Sequence, residues 1–253
     1  MRRLGYVALA ALMVALIVFL LTPPTLVNSA APPQLPDDLD RYLAERERAV
    51  AERYGLVADT DKRIRWQTRP TRTDYAVVYL HGFSATRQAL APTAELVADA
   101  LNANLFETRL TGHGRIDKPM TDVRAEDWLD DAAEALAVGA RLGDRIVLIG
   151  TSTGATLAVA MAGHPAFEPV AALVLVSPNF GPANEDAEIL VGPAGPLIGR
   201  MLVGETRTWK PHNEMQARYW TTSYPIDAAV EMMRLVDFAR SRLPLTLTGD
   251  LLV

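Results

Sequence analysis

The chain has 253 residues, 49% of them hydrophobic, enough for one sizeable core with little left for a second. Its formal net charge is -5 and no basic run lies beyond the extreme N-terminus, so the electrostatic footprint of a nucleic-acid binder is missing. With no cysteine there is no disulfide, thiolate metal site or thiol nucleophile, and the four scattered histidines have no metal-ligand spacing.

The first element is "MRRLGYVALAALMVALIVFLLTPP", in which Arg2 and Arg3 precede an uncharged stretch from Leu4 to Leu21. As a helix it would be about 27 Å long, close to the span of a bilayer, and its apolar core is longer than that of a cleaved signal peptide. It reads as an uncleaved membrane anchor over residues 1–21, with the arginines holding the N-terminus in the cytoplasm and the remainder on the extracytoplasmic, periplasmic side. Residues 22–37, "TPPTLVNSAAPPQLPD", are Pro-rich and polar and predict an extended tether. Asp37 and Asp38 can cap a helix over residues 38–55 that ends at Gly55, and its alternating charges suggest a solvated juxtamembrane helix with i,i+4 pairs.

From residue 56 to 253 strand and helix patterns alternate. "RIRWQT" reads as a half-exposed strand, "YAVVYLHGF" as a buried one, residues 88–101 as a helix and "ANLFETRL" as a strand. An amphipathic helix over 125–141 is followed by the buried strand "RIVLIG", a small-residue helix to about Gly163 and the buried strand "VAALVLVSPNF". Such repetition predicts a mostly parallel sheet with helices on both faces. Between Gly181 and Pro225 many Gly, Pro and aromatic residues break the rhythm, which predicts an inserted cap; a helix from Ile226 to Arg240 and the strand-like "PLTLTGDLLV" finish the chain.

Between the buried strand and the small-residue helix lies Gly150-Thr151-Ser152-Thr153-Gly154, a G-x-S-x-G pattern in the strand-turn-helix context that a nucleophile elbow requires. The bare pattern arises about 0.1 times by chance in a chain of this size, so the flanks carry the reading. A serine nucleophile needs a base for its proton and donors for the oxyanion that develops on attack. Upstream, "VVYLHGF" can turn at His81-Gly82 to present the Phe83 amide, and the Thr153 amide, next after the nucleophile, supplies a second donor.

The segments "YLHGFSATR", "ETRLTGHGR", "EDWLDDAAEAL", "GTSTGATLA" and "VSPNFGP", in this order, resemble the α/β-hydrolase superfamily, and within it the carboxylesterase and monoacylglycerol-lipase-like (serine aminopeptidase-type) branch. The likeness covers roughly residues 62–250. It implies an α/β-hydrolase fold and hydrolysis of esters or amides through a Ser, Asp/Glu, His triad, with Ser152 as nucleophile and Phe83 and Thr153 at the oxyanion positions. It implies no metal or organic cofactor. The family's acid follows a late strand, often as G-x-x-D, with the histidine after the next strand. Here Asp250 directly follows Gly249, at a different spacing, and is a candidate acid or a solvated carboxylate at a strand end. No histidine follows it, so the expectation is a fold without its last strand and helix and with no triad histidine identified.

The other histidines read as structural: His81 precedes the nucleophile in this topology, His113 lies in the turn "LTGHGR", and His164 stands at a helix end where it can cap carbonyls. His212, in the cap, reaches Ser152 only if the cap folds onto it. Trp209, Tyr219, Trp220 and Tyr224, with the apolar Leu197, Ile198, Met201 and Leu202, offer either a hydrophobic acyl pocket or simple cap packing. The expectation is a membrane-anchored serine hydrolase acting on a small-molecule ester or lipid through a Ser152 acyl-enzyme. The alternative is a catalytically incomplete hydrolase-fold protein, either a truncated product or a binding scaffold.

Overall fold

A computed structural model of the chain describes residues 31–181, 194–245 and 250–252, together with Tyr6, residues 11–16, Val18, Leu26, Asn28 and Gly192. Strands β1 (Arg63–Arg65), β2 (Thr73–Leu80), β3 (Asn104–Glu107), β4 (Gly143–Thr151) and β5 (Val170–Val176) are followed by β6 (Thr206–Thr208), β7 (Ser223–Pro225) and β8 (Asp250–Leu252). Six of them form one sheet in the order β1-β3-β2-β4-β5-β8, while β6 and β7 form a separate antiparallel pair. Every pairing in the large sheet is parallel except that of β1 with β3. The helices are α1 (Leu39–Tyr54), α2 (Thr93–Ala100), α3 (Ala125–Leu142), α4 (Thr153–Ala160), α5 (Gly195–Val203), α6 (Glu214–Tyr219) and α7 (Ile226–Arg240).

The period of two along the central strands divides the core. Ala76, Val78 and Leu80 of β2 and Ile146 and Leu148 of β4 join Trp128, Leu129 and Leu136 of α3 and Leu157 of α4 in one apolar cluster. Val77, Tyr79, Val147 and Ile149 join Ala94 and Ala98 of α2 in a second cluster on the other face. Burial on both faces is why these strands read as continuous apolar runs. The α2 helix is shorter than its predicted span, because a 3₁₀ turn at Arg87–Ala89 and Pro92 at its N-cap interrupt the segment.

The α1 helix corrects the expectation of a solvated element. Asp38 caps it, accepting from the Arg41 amide at 3.0 Å, and Arg41 and Glu45 form an exposed i,i+4 pair at 2.8 Å. Its other side is docked, with Leu39, Leu43 and Glu47 buried. Glu47 accepts from Arg109 Nε at 2.7 Å and Nη2 at 2.8 Å and from the Lys62 amide at 3.1 Å. Lys62 Nζ in turn donates to Asp131 at 3.2 Å and to Glu134, both on α3, and Tyr42 Oη donates to Glu134 at 2.6 Å. Where the tether is described it also touches the domain: Leu26 is buried, and Asn28 lies 3.5 Å from Met161 Sδ.

Most of the expected anchor, residues 1–21, lies outside the described residues; Tyr6, residues 11–16 and Val18 are helical. Among the described residues no helix is long and apolar enough to cross a membrane. The expected cap contains α5, β6, α6 and β7, with residues 182–191 and 193 outside the described set. It meets the sheet's C-terminal edge where the Thr221 amide donates to Ser84 O at 2.7 Å.

Candidate active site

Ser152 occupies the single residue between β4 and α4, with φ 51° and ψ −115°. A non-glycine residue held there costs on the order of 1–3 kcal/mol and persists only when its surroundings over-determine it. Those surroundings are visible. The Ser152 amide donates to Val176 O at 2.9 Å, and its carbonyl accepts from the Thr156 amide at 3.1 Å and the Thr156 hydroxyl at 3.2 Å. A Cβ on Gly154 would stand 2.0 Å from Leu80 O, and one on Gly150 would stand 2.6 Å from Ala155 Cα. The pattern therefore needs glycine on both sides of the serine: α4 starts against the end of β2, too close for any side chain.

The loop after β2 passes directly over the serine, since a Cβ on Gly82 would lie 3.2 Å from Ser152 Cβ and 3.8 Å from Ser152 Oγ. Phe83 follows on this loop, and Thr153 opens α4, where the first amides of a helix have no internal partner and the dipole favours negative charge. Neither amide donates to a partner among the described residues. The structure thus brings Ser152, the Phe83 loop and Thr153 together, as the motif predicts. The Ser152 hydroxyl is partly exposed and has no hydrogen-bond partner among the described residues.

His81 and His113 build the loop rather than act on substrate. His81, fully buried, accepts from the Leu110 amide at Nε2 (3.0 Å) and bonds Gly82 O through Nδ1 (2.9 Å). Burial pushes its pKa down to about 4, and this hydrogen-bond pattern assigns the proton to Nδ1. His113 accepts from the Ser84 amide at 3.0 Å and bonds Thr111 O at 3.2 Å; burial, then the neighbouring His81, lowers its pKa well below the ordinary value. Ser84 itself sits at φ 59°. The Phe83 ring meets His113, Trp128 and Tyr224 edge-on, with centroids 6.1, 6.0 and 5.1 Å away. Tyr224 is the cap aromatic that the fold places beside the site.

Sequence reasoning missed the depth of this bracing. Asp131 accepts from the Thr111 amide at 2.5 Å, and Thr111 O accepts from Trp128 Nε1 at 3.0 Å. Asp131 and Glu134 fall on the same helical face as buried Trp128 and Ala135, and that periodicity was the available signal.

The remaining candidates stand elsewhere. His164 accepts from the Ala166 amide at 3.1 Å, so it caps the following 3₁₀ turn at Pro165–Phe167 rather than the end of α4. His212 is exposed in the cap, its amide bonded to Gln216 Oε1 at 2.7 Å. Asp250 is not brought to Ser152. It pairs with Ala172, which pairs with Val147, four positions before Thr151, so its backbone lies about 13 Å short of the elbow edge. Parallel register, invisible in the sequence, decides that placement. Among the described residues no group of three or more His, Asp or Glu side chains is arranged to hold a metal ion.

A mostly parallel sheet with a serine on a positive-φ turn between strand and helix, beside two amides that have no partner among the described residues, defines a hydrolase-type scaffold. Residues 77–251 match the alpha/beta hydrolase family, and the chain belongs to that family. Comparison with curated proteins gives no match. Among solved structures, one reported for LipS and LipT, two metagenome-derived lipolytic enzymes, is similar with TM-score 0.63 and 19% identity, covering 78% of this chain and 76% of that one. The monoacylglycerol lipase of Paleococcus ferrophilus is similar with TM-score 0.52 and 14% identity, covering 76% and 75%. The alpha/beta hydrolase GrgF from Penicillium sp. sh18 is similar with TM-score 0.50 and 14% identity, covering 71% of each chain. At these identities the likeness is one of fold.

Proposed function

We propose that the protein is a serine hydrolase of carboxylic esters, working through an acyl-enzyme on Ser152. The observation that carries this reading is the positive-φ serine lying under the Gly82 loop, beside the Phe83 and Thr153 amides, which have no partner among the described residues. Ser152 Oγ attacks the ester carbonyl carbon, the carbonyl oxygen becomes an oxyanion held by the two amides, and the C–O bond to the alcohol breaks. Water then repeats the sequence on the acyl-enzyme. Losing one such donor costs on the order of 10²–10³ in rate. A base must take the serine proton and pass it to the leaving alkoxide; His81 and His113 have both ring nitrogens engaged in the loop and are not that base.

A lipid-like substrate is supported by α5, whose Leu197, Met201 and Leu202 are 63%, 77% and 75% exposed, and by the lipases that share the fold. Residues 1–21 serve as the membrane anchor, with the hydrolase domain on the extracytoplasmic side; deleting them should move the protein from the membrane to the soluble fraction. A second reading, a hydrolase-fold binding protein, rests on the Ser152 hydroxyl, which has no partner among the described residues, and on the distant Asp250.

A fluorophosphonate probe on the detergent-solubilised full chain separates the two readings. Stoichiometric labelling that disappears in Ser152→Ala is the expected result; no labelling of well-folded protein selects the binding protein.

A further inference from the structure

The cavity between cap and core suggests a site of its own, away from the serine chemistry. It measures about 260 Å³ and runs between the Gly114–Pro119 segment and the α6–β7 stretch of the cap. Arg115 and Arg218 line it, with the hydroxyl-bearing Thr221 and Thr222, and no carboxylate does, in a chain whose net charge is -5. Among the described residues Arg115 has an aromatic ring beside it and no carboxylate in ion-pair contact. Its guanidinium lies 4.1 Å from the centre of the Tyr54 ring, it forms no ion pair among the described residues, and its buried Nε has no hydrogen-bond partner. Burial, the largest influence on it, holds its pKa below the ordinary value. Arg218 has a loose contact with Asp59 at 3.8 Å, between side chains that are both more than half exposed, and its guanidinium lies 5.0 Å from the centre of the Tyr219 ring. Thr86, whose buried hydroxyl has no partner among the described residues, also lines the cavity.

Two arginines lining one cavity, one from the core and one from the cap, together with hydroxyl donors, suit a compact anion with several oxygens, because planar N–H forks match phosphate oxygens. We propose that this seam binds a phosphate group, either free phosphate or the monoester headgroup of a lipid. The ligand would bridge Arg115 of the core and Arg218 of the cap. Thr86 belongs to the loop that carries Phe83, and Thr221 donates to Ser84 on the same loop, so an occupied site would fasten the cap to the oxyanion loop.

The test is calorimetric titration of the detergent-solubilised full chain with inorganic phosphate and, separately, with dihexanoyl phosphatidate. Saturable binding is expected, weakened about tenfold in Arg115→Gln and in Arg218→Gln and unchanged in Arg53→Gln, which contacts the Tyr54 ring but does not line the cavity. Equal affinity for the two probes assigns free phosphate; tighter binding of the phosphatidate assigns a lipid headgroup. Absence of saturable binding of both probes, or binding unaltered in the two cavity variants, overturns the proposal. Should Arg115→Gln not fold, the exposed Arg218 carries the test alone. Because the readout is binding, it stands whether or not Ser152 is labelled.

Discussion

Gly154→Ala tests the geometry that joins the nucleophile to its oxyanion donors. The added methyl would meet Leu80 O at 2.0 Å, Leu80 C at 2.5 Å and His81 O at 2.7 Å. Contacts to a real Cβ are essentially never below about 3.0 Å, so α4 and the end of β2 must part by about 1 Å. None of the three atoms is a flexible side-chain tip, so the strain goes into backbone. Overpacking of this kind costs about 1–3 kcal/mol, which in a chain of this size lowers Tm by about 5 °C. The same wedge separates the start of α4, where Thr153 sits, from the strand that leads to Phe83. Reaction with fluorophosphonate should therefore slow by about 10²-fold, the scale of one lost oxyanion donor. Differential scanning calorimetry and labelling kinetics read the two effects separately. An alanine variant with native Tm and native labelling rate would refute the account of the elbow.

Lys62→Met should strand Asp131 and Glu134 in the interior and cost about 3–5 kcal/mol in urea unfolding at neutral pH. Burial is the largest single influence on Glu134 and raises its pKa, but the Lys62 charge, the hydrogen bonds from Lys62 and Tyr42 and the Arg46 charge together hold the group below its ordinary value, so without Lys62 it titrates higher and the penalty should shrink as pH falls through the carboxylate range; a pH-independent penalty would count against the network. His81, neutral when folded with a pKa of about 4, takes up a proton more readily unfolded, so stability should fall as pH drops from about 6.5 to about 4, by about 3 kcal/mol from this group. In His81→Gln the slope across that window should be shallower than in the parent, measured by urea midpoints. Leu43→Ala should cost about 2–5 kcal/mol, because its side chain is 4% exposed; a loss within about 0.5 kcal/mol would mean that α1 is not docked in solution.

What the sequence made legible is what local pattern controls. The bounds of α7 and the strand-serine-helix junction follow from periodicity and from glycines whose spacing the elbow dictates. The docking of α1 was hidden because Glu47 looks like one more solvated charge; its partner Arg109 is 62 residues away, and only the folded chain shows the pair to be buried. The role of His113 was half legible, since its turn was evident but its bond to the Ser84 amide depends on two loops meeting. Asp250 shows the limit most clearly: a parallel strand can slide along its neighbour without changing its composition, so the level at which a side chain emerges cannot be read from spacing.

The buried charges also fix where this fold can be cut. Glu47 sits on a helix that precedes every strand, yet it neutralises Arg109 and holds the Lys62 backbone. Lys62 secures Asp131, Asp131 grips the Thr111 amide, and the carbonyl of Thr111 steadies His113 beneath the Phe83 loop. A version trimmed to begin at the first strand would leave a stranded guanidinium at one end of this relay and a slackened oxyanion loop at the other.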